Sequence, residues 1–131
     1  MSGNKAVLDS NVIILASKGR IDTDKLLADY DEFYVSIVTY MEVYAYEFDN
    51  SDERTLIDEL FTNLGIVELN RIVADQAIIY RKNKTKKIKL PDAVILATAK
   101  VLNADLLSDD WNDFQGIDAS VSVINLDALR I

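Results

Sequence analysis

Apolar residues gather in five short runs, separated by longer segments in which they recur every three or four positions. The runs fall at 5–8, 33–35, 66–69, 104–107 and 121–126. Short apolar runs alternating with helix-length segments predict strands alternating with helices, hence a parallel sheet covered on both faces. The expected fold is α/β: a three-layer α/β/α sandwich around a central five-stranded parallel sheet. The single proline and the four glycines lie at ends and turns, so no linker divides the chain and residues 1–131 read as a single domain.

Four helical segments refine this picture. After the run at 33–35, Ser36 suits an N-cap and IVTYMEVYAYEF continues as a helix over 37–48. Helical spacing puts Tyr40, Tyr44 and Phe48 in one stripe, with Glu42 and Tyr46 on the opposite side. A glutamate in so apolar a helix is notable, because burying it unpaired is costly. Helices are also predicted over 51–63, with a packing stripe of Leu56, Ile57, Leu60, Phe61 and Leu64, and over 72–87. In LPDAVILATAKVLNA, Pro91 fits the first helical position and puts Asp92 in the first turn. The apolar remainder describes a helix buried on most sides.

Ligands of open α/β sheets bind beyond the carboxyl ends of the strands, near the point where strand order reverses. KAVLDSNVIIL delivers Asp9 to such a strand end, with a helix beginning at once. LLSDDWNDF, a loop leaving another strand, brings Ser108, Asp109, Asp110 and Asp113 to the same edge. Each acid has an ordinary local role: Asp9 as a helix cap, Asp92 facing a helix dipole, the loop acids as turn residues. Their convergence suggests more. Asp9, Asp92 and Asp110 come from elements that begin or end at the carboxyl edge, and Glu42 can reach it from its helix. Four carboxylates crowded together raise one another's pKa values, and Mg2+ or Mn2+ with oxygen ligands relieves that repulsion. Such a site suits phosphoryl chemistry.

Composition narrows the chemistry further. The chain has no histidine and no cysteine, which excludes a serine triad of the usual kind, imidazole acid–base pairs, a zinc site of the usual ligands and any disulfide. The missing thiols suit a reducing cytoplasm, and no apolar run nears the roughly 20 residues needed to cross a bilayer. A soluble cytoplasmic protein is expected. With 22 acids against 14 bases, the net charge of −8 argues against nucleic acid. The distribution of charge reverses part of that. Arg81, Lys82, Lys84, Lys86, Lys87 and Lys89 fall in RKNKTKKIK with no acid among them, a plausible track for phosphates. A solvated helix end is the plainer reading.

Together, VLDSN at Asp9, SIVTYME ending at Glu42, LPDAVILATA at Asp92 and LLSDDWNDF at Asp110 resemble the PIN-domain ribonucleases, in particular the VapC toxins of prokaryotic toxin–antitoxin pairs. The likeness spans nearly the whole chain, with the motifs in family order. It implies that Asp9, Glu42, Asp92 and Asp110 form an acidic metal site, with Asp113 an auxiliary acid. Asp109 is an alternative to Asp110. Ser108 matches a position, usually threonine, that orients a water or ligand; Ser10 likewise replaces a threonine, and Asn11 reads as a turn or supporting residue. The resemblance further implies hydrolysis of RNA with one or two Mg2+ or Mn2+ ions, a homodimer and a cognate antitoxin. RNA would follow the strip from Arg81 to Lys89, and Tyr40, Tyr44 and Phe48 would form a dimer or antitoxin contact.

Two other readings compete. A receiver-like signalling domain shares the size and an acidic magnesium pocket, but wants paired acids at the first strand and a lysine after the last one. VLDSN holds one acid, and the last lysine is Lys100. A catalytically silent PIN-like interaction scaffold is the second.

Overall fold

Val7 sits at the centre of the molecule because its strand must be covered on both sides. Strand β1 (Lys5–Leu8) buries Ala6, Val7 and Leu8, as a central parallel strand does. The computed structural model describes residues 4–131. Around β1 the chain forms α1 (Ser10–Ser17), α2 (Thr23–Asp29), β2 (Glu32–Ser36), α3 (Ile37–Ala45) and α4 (Ser51–Phe61). Then come β3 (Gly65–Val67), α5 (Arg71–Arg81), α6 (Leu90–Leu102), β4 (Asp105–Leu107), α7 (Trp111–Phe114) and β5 (Val123–Ile124). A 3-10 turn, Asp127–Leu129, follows.

All five strands pair in parallel in the order β3-β2-β1-β4-β5. Alternation sends Val7 and Leu106 into a core with α5, α6 and α7, while Ala6, Leu8 and Leu107 join α1, α3 and α4 on the other face. The three-layer α/β sandwich is thus as expected. The strand order also excludes the receiver reading, whose flavodoxin-like sheet runs 2-1-3-4-5. Here the chain winds outward from β1 through β2 to β3, then returns to place β4 and β5 on the opposite side. The order reverses between β1 and β4, whose ends are joined by a 3.0 Å bond from the Asp9 amide to the Leu107 carbonyl.

Several boundaries differ from the pattern reading. Helix α3 stops at Ala45, and Tyr46 is extended (φ −70°, ψ 138°), so Phe48 lies beyond the helix. Helix α5 ends at Arg81, leaving 82–89 as a connection. There the Asn83 side chain accepts from the amides of Thr85 (2.9 Å) and Lys86 (3.1 Å), a local turn that competes with helix. Pro91 is the second residue of α6 rather than the first, with Lys89 as the cap; the first four helix amides lack intrahelical partners, so either place suits it. Part of the loop after β4 is helical, as α7. Helix α2, which the apolar pattern does not announce, buries only Leu26. At the outer sheet edge, the Trp111 indole donates to the Val123 carbonyl at 3.0 Å.

Candidate active site

Four elements point acids at the crevice beyond β1 and β4. Asp9 ends β1 and caps α1, its Oδ1 accepting from the Ser10 amide at 2.8 Å, so the capping role and the crevice position belong to one side chain. Its Oδ2 accepts from the Ser108 hydroxyl at 2.7 Å. Ser108 is wholly buried after β4, and its oxygen in turn accepts from the Asp110 amide at 2.9 Å. Asn11, in the first turn of α1, donates to Asp110 Oδ2 (3.1 Å) and Asp9 Oδ2 (3.4 Å) and accepts from the Asp109 amide (2.9 Å). One amide therefore ties both strand ends together. Asn11 is a supporting residue with a defined task.

The same contacts separate the two neighbouring acids. Asp110 faces Asn11 and Asp9, whereas Asp109 pairs with the guanidinium of Arg130. Arg130 comes from the last residues of the chain, held there by a bridge between Ile21 and Arg130. Sequence spacing had no means of finding it, because that bridge joins residues far apart in the chain.

Electrostatics shows that the acids sense one another. Burial pushes the Asp9 carboxyl up despite its hydrogen bonds from Ser108 and Ser10, and the Asp110 and Asp113 charges add to the rise. Glu42 projects from α3; partial desolvation and then Asp9 raise it, opposed by the Ser10 hydroxyl. Asp92, in the first turn of α6, is pushed up to about 6 by desolvation and then by Asp9, Asp113 and Glu42, with Lys89 opposing. Asp9, Glu42, Asp92, Asp110 and Asp113 are thus brought to one crevice.

Every donor there is a hard oxygen, which fits Mg2+ or Mn2+ and not a soft metal. Mutual repulsion among the carboxylates is what such a cation offsets. Among the described residues, no three acids stand close enough, with side chains as placed, to enclose an ion.

The PIN domain family model matches residues 6–119. The chain belongs to the PIN domain family. A PIN-domain fold of this kind also recurs among solved structures. In a toxin–antitoxin complex from Klebsiella pneumoniae, a chain 28% identical superposes with a TM-score of 0.74, covering 91% of this chain and 95% of that one. VapBC2 from Rickettsia felis, bound to a promoter DNA fragment, matches at 20% identity and a TM-score of 0.78, covering 94% and 99%. DNA-bound VapBC from Salmonella typhimurium matches at 15% and 0.78, covering 94% and 98%. The last two show the fold alone. No curated protein matches the chain.

Two surface features of this PIN domain differ from expectation. Tyr40 and Tyr44 pack on each other and on Phe61, with ring centroids 5.0–5.5 Å apart, while Phe48 pairs with Tyr46 instead. The expected helical stripe of Tyr40, Tyr44 and Phe48 therefore breaks after Tyr44, although Tyr44 and Phe48 pack on the same core. The basic residues also divide by role. Lys86 donates to the Asn112 and Gln115 carbonyls and so fastens α7, which carries Asp113; Arg81 donates to the Ile88 carbonyl at 2.8 Å. Lys82, Lys84, Lys87 and Lys89 are exposed.

Proposed function

We propose that this PIN domain is a Mg2+- or Mn2+-dependent endoribonuclease and the toxin of a toxin–antitoxin pair. The observation that carries the reading is the convergence of acids from β1, α3, α6 and the loop after β4 on the crevice where strand order reverses. Asp9, Glu42, Asp92 and Asp110 would hold the metal, with Asp113 adding charge from α7. When bound, the metal supplies Lewis acidity to the phosphate oxygens. Ser108 and Asn11 hold Asp9 and Asp110 in a fixed relation, and the other carboxylates would close on the ion as it binds. Arg130 removes Asp109 from the set.

Partners follow from the surfaces. An antitoxin is supported by the Klebsiella pneumoniae toxin–antitoxin complex and by an apolar groove of about 500 Å³ lined by Val12, Ile13, Leu26, Leu27, Leu60 and Leu64. A second copy of the chain is supported by exposed Ile72, Ile78 and Ile79 on α5. Among the described residues, no helix is long and apolar enough to cross a membrane.

The test is cleavage of an end-labelled mixed RNA pool by the purified chain in Mg2+, in Mn2+ and in EDTA. Cutting that needs the metal and disappears in Asp9→Asn supports the proposal. Metal-independent cutting, or equal cutting by Asp9→Asn, overturns it; a folded chain that binds neither Mg2+ nor Mn2+ leaves the silent scaffold. The basic connection supplies a second expected result. Lys84→Gln with Lys87→Gln should weaken RNA binding and flatten its dependence on salt by about two phosphate contacts, since each neutralised phosphate contributes roughly −0.7 to the log–log slope on single strands. Lys86→Gln should instead lower melting temperature through α7. An unchanged salt slope in the double variant would return the lysines to a solvated surface.

A further inference from the structure

A cavity of about 310 Å³ adjoins the acids, and its lining mixes two kinds of residue. Ser10, Asn11, Glu42, Asp109 and Asp110 form its polar side, whereas Ile14, Leu15 and Tyr46 are apolar or aromatic. Tyr46 is 38% exposed although it stands beside two partly buried aliphatic side chains. Helix α3 ends one residue before it, so its ring is carried by the connection to α4 rather than by regular structure.

That ring is nonetheless held. Phe48 meets it edge-on at 5.3 Å between centroids, and Lys18 Nζ lies 5.5 Å from its centre. Lys18 is anchored to Asp49 (3.0 Å) and Glu53 (3.1 Å), and Glu53 also accepts from the Asp49 amide at 2.9 Å. Lys18, Phe48, Asp49 and Glu53 all stand outside the cavity lining. Glu53 is nearly buried, and a buried ion pair contributes little net stability, while it can hold one arrangement against others. Here it fixes the segment from Tyr46 to Asn50.

We infer that this cavity receives one unpaired nucleobase of the RNA, stacked on Tyr46, next to a phosphate that a cation bound by the acids would hold. The ligand's identity rests on the ribonuclease reading above. Proximity supports it: Glu42 and Asp110 line one side of the cavity, so a nucleotide whose phosphate meets a cation held by them brings its own or its neighbour's base to the side lined by Tyr46. Size supports it as well. Ligand cavities run from about 300 to 1,000 Å³, so this one suits a single nucleoside and not a base pair. Chemistry completes the argument, because unstacked bases bind to aromatic rings flanked by apolar side chains, and bases inside a duplex have no free face to offer.

The test uses fluorescein-labelled short RNA, single-stranded and as its duplex, with anisotropy read in calcium and in EDTA. Wild type, Tyr46→Ala and Tyr46→Phe are compared after circular dichroism shows that all three are folded. Tyr46→Ala should bind the single strand about tenfold more weakly and Tyr46→Phe within about twofold of wild type, while duplex binding does not respond to either change. Removing one base at a time from the RNA should locate one position whose loss weakens wild type and not Tyr46→Ala. Unchanged binding by Tyr46→Ala overturns the inference, as does equal weakening by Tyr46→Phe, which would assign the effect to the hydroxyl. Absence of any single-strand binding by wild type overturns it too. Tyr46-dependent binding without cutting by wild type would sink the ribonuclease and leave the base site; cutting by Tyr46→Ala at the wild-type rate and positions would do the reverse.

Discussion

Asp92→Asn is expected to cut RNA at least about a hundredfold more slowly than wild type, yet to melt a few degrees higher in EDTA. Both effects have one cause. In the fold, Asp92 ionises only near 6, because desolvation and the charges of Asp9, Asp113 and Glu42 oppose its negative form. In the unfolded chain it ionises near its ordinary 3.8. An acid raised in this way binds protons more tightly when folded, so its contribution to stability is lost as pH rises from about 3.8 to about 6. Asparagine keeps the shape and removes the charge. The gain in melting temperature over wild type should therefore be full at neutral pH, shrink through that window and vanish below it. Saturating Mn2+ should raise the melting temperature of wild type more than that of the variant, because the ion binds the folded chain through the missing carboxylate. Thermal scans across pH, with and without Mn2+, together with a cleavage assay, read all of this. A variant that cuts at the wild-type rate, or that is less stable at neutral pH, would remove Asp92 from the site.

Ser108→Ala should also slow cutting, by roughly ten- to a hundredfold, but with the opposite effect on stability. The hydroxyl is wholly buried, donates to Asp9 Oδ2 and accepts from the Asp110 amide. Alanine leaves Asp9 Oδ2 with only the 3.4 Å contact from Asn11 and takes away the hydroxyl that meets the Asp110 amide. Leaving such groups unmatched costs about 1–3 kcal/mol, enough to lower the melting temperature by several degrees. Without the Ser108 hydrogen bond, Asp9 should also hold its proton to higher pH, moving the acid limb of the cleavage profile upward. Chemical denaturation and a pH–rate profile test the two consequences separately. Full stability and an unmoved acid limb would show that Ser108 is not the link between the two strand ends.

Local chemistry makes much of the fold, and of the candidate site proposed on it, legible in the sequence. Strand positions show in short apolar runs, and Asp9 and Ser36 cap helices where single-residue preference places them. Asp9 and Asp110 can be gathered because a parallel sheet sends its strand ends to one edge, and Glu42 and Asp92 because their helices start near that edge. Pattern alone leaves strand order open, since alternating strands and helices suit 2-1-3-4-5 as well as the observed 3-2-1-4-5. The choice between Asp109 and Asp110 depends on Arg130, whose approach requires the closed fold. Lys86 looks like its five basic neighbours in sequence, and only the position of the α7 carbonyls distinguishes it. The end of α5 is nearer to hand: Asn83, third in RKNKTKKIK, is the kind of residue whose side chain bonds nearby amides and halts a helix.

Trp111 is the only tryptophan in the chain, lies between Asp110 and Asp113 in sequence, and is tethered through its indole to the edge of β5. It gives the protein an intrinsic optical reporter. A cation that drew in Asp110 or Asp113 would pull on α7 and so on the indole's hydrogen bond, and a change in the indole's surroundings alters the colour and intensity of tryptophan emission. Ion titrations can then be followed on the unlabelled, unmodified chain in the absence of RNA.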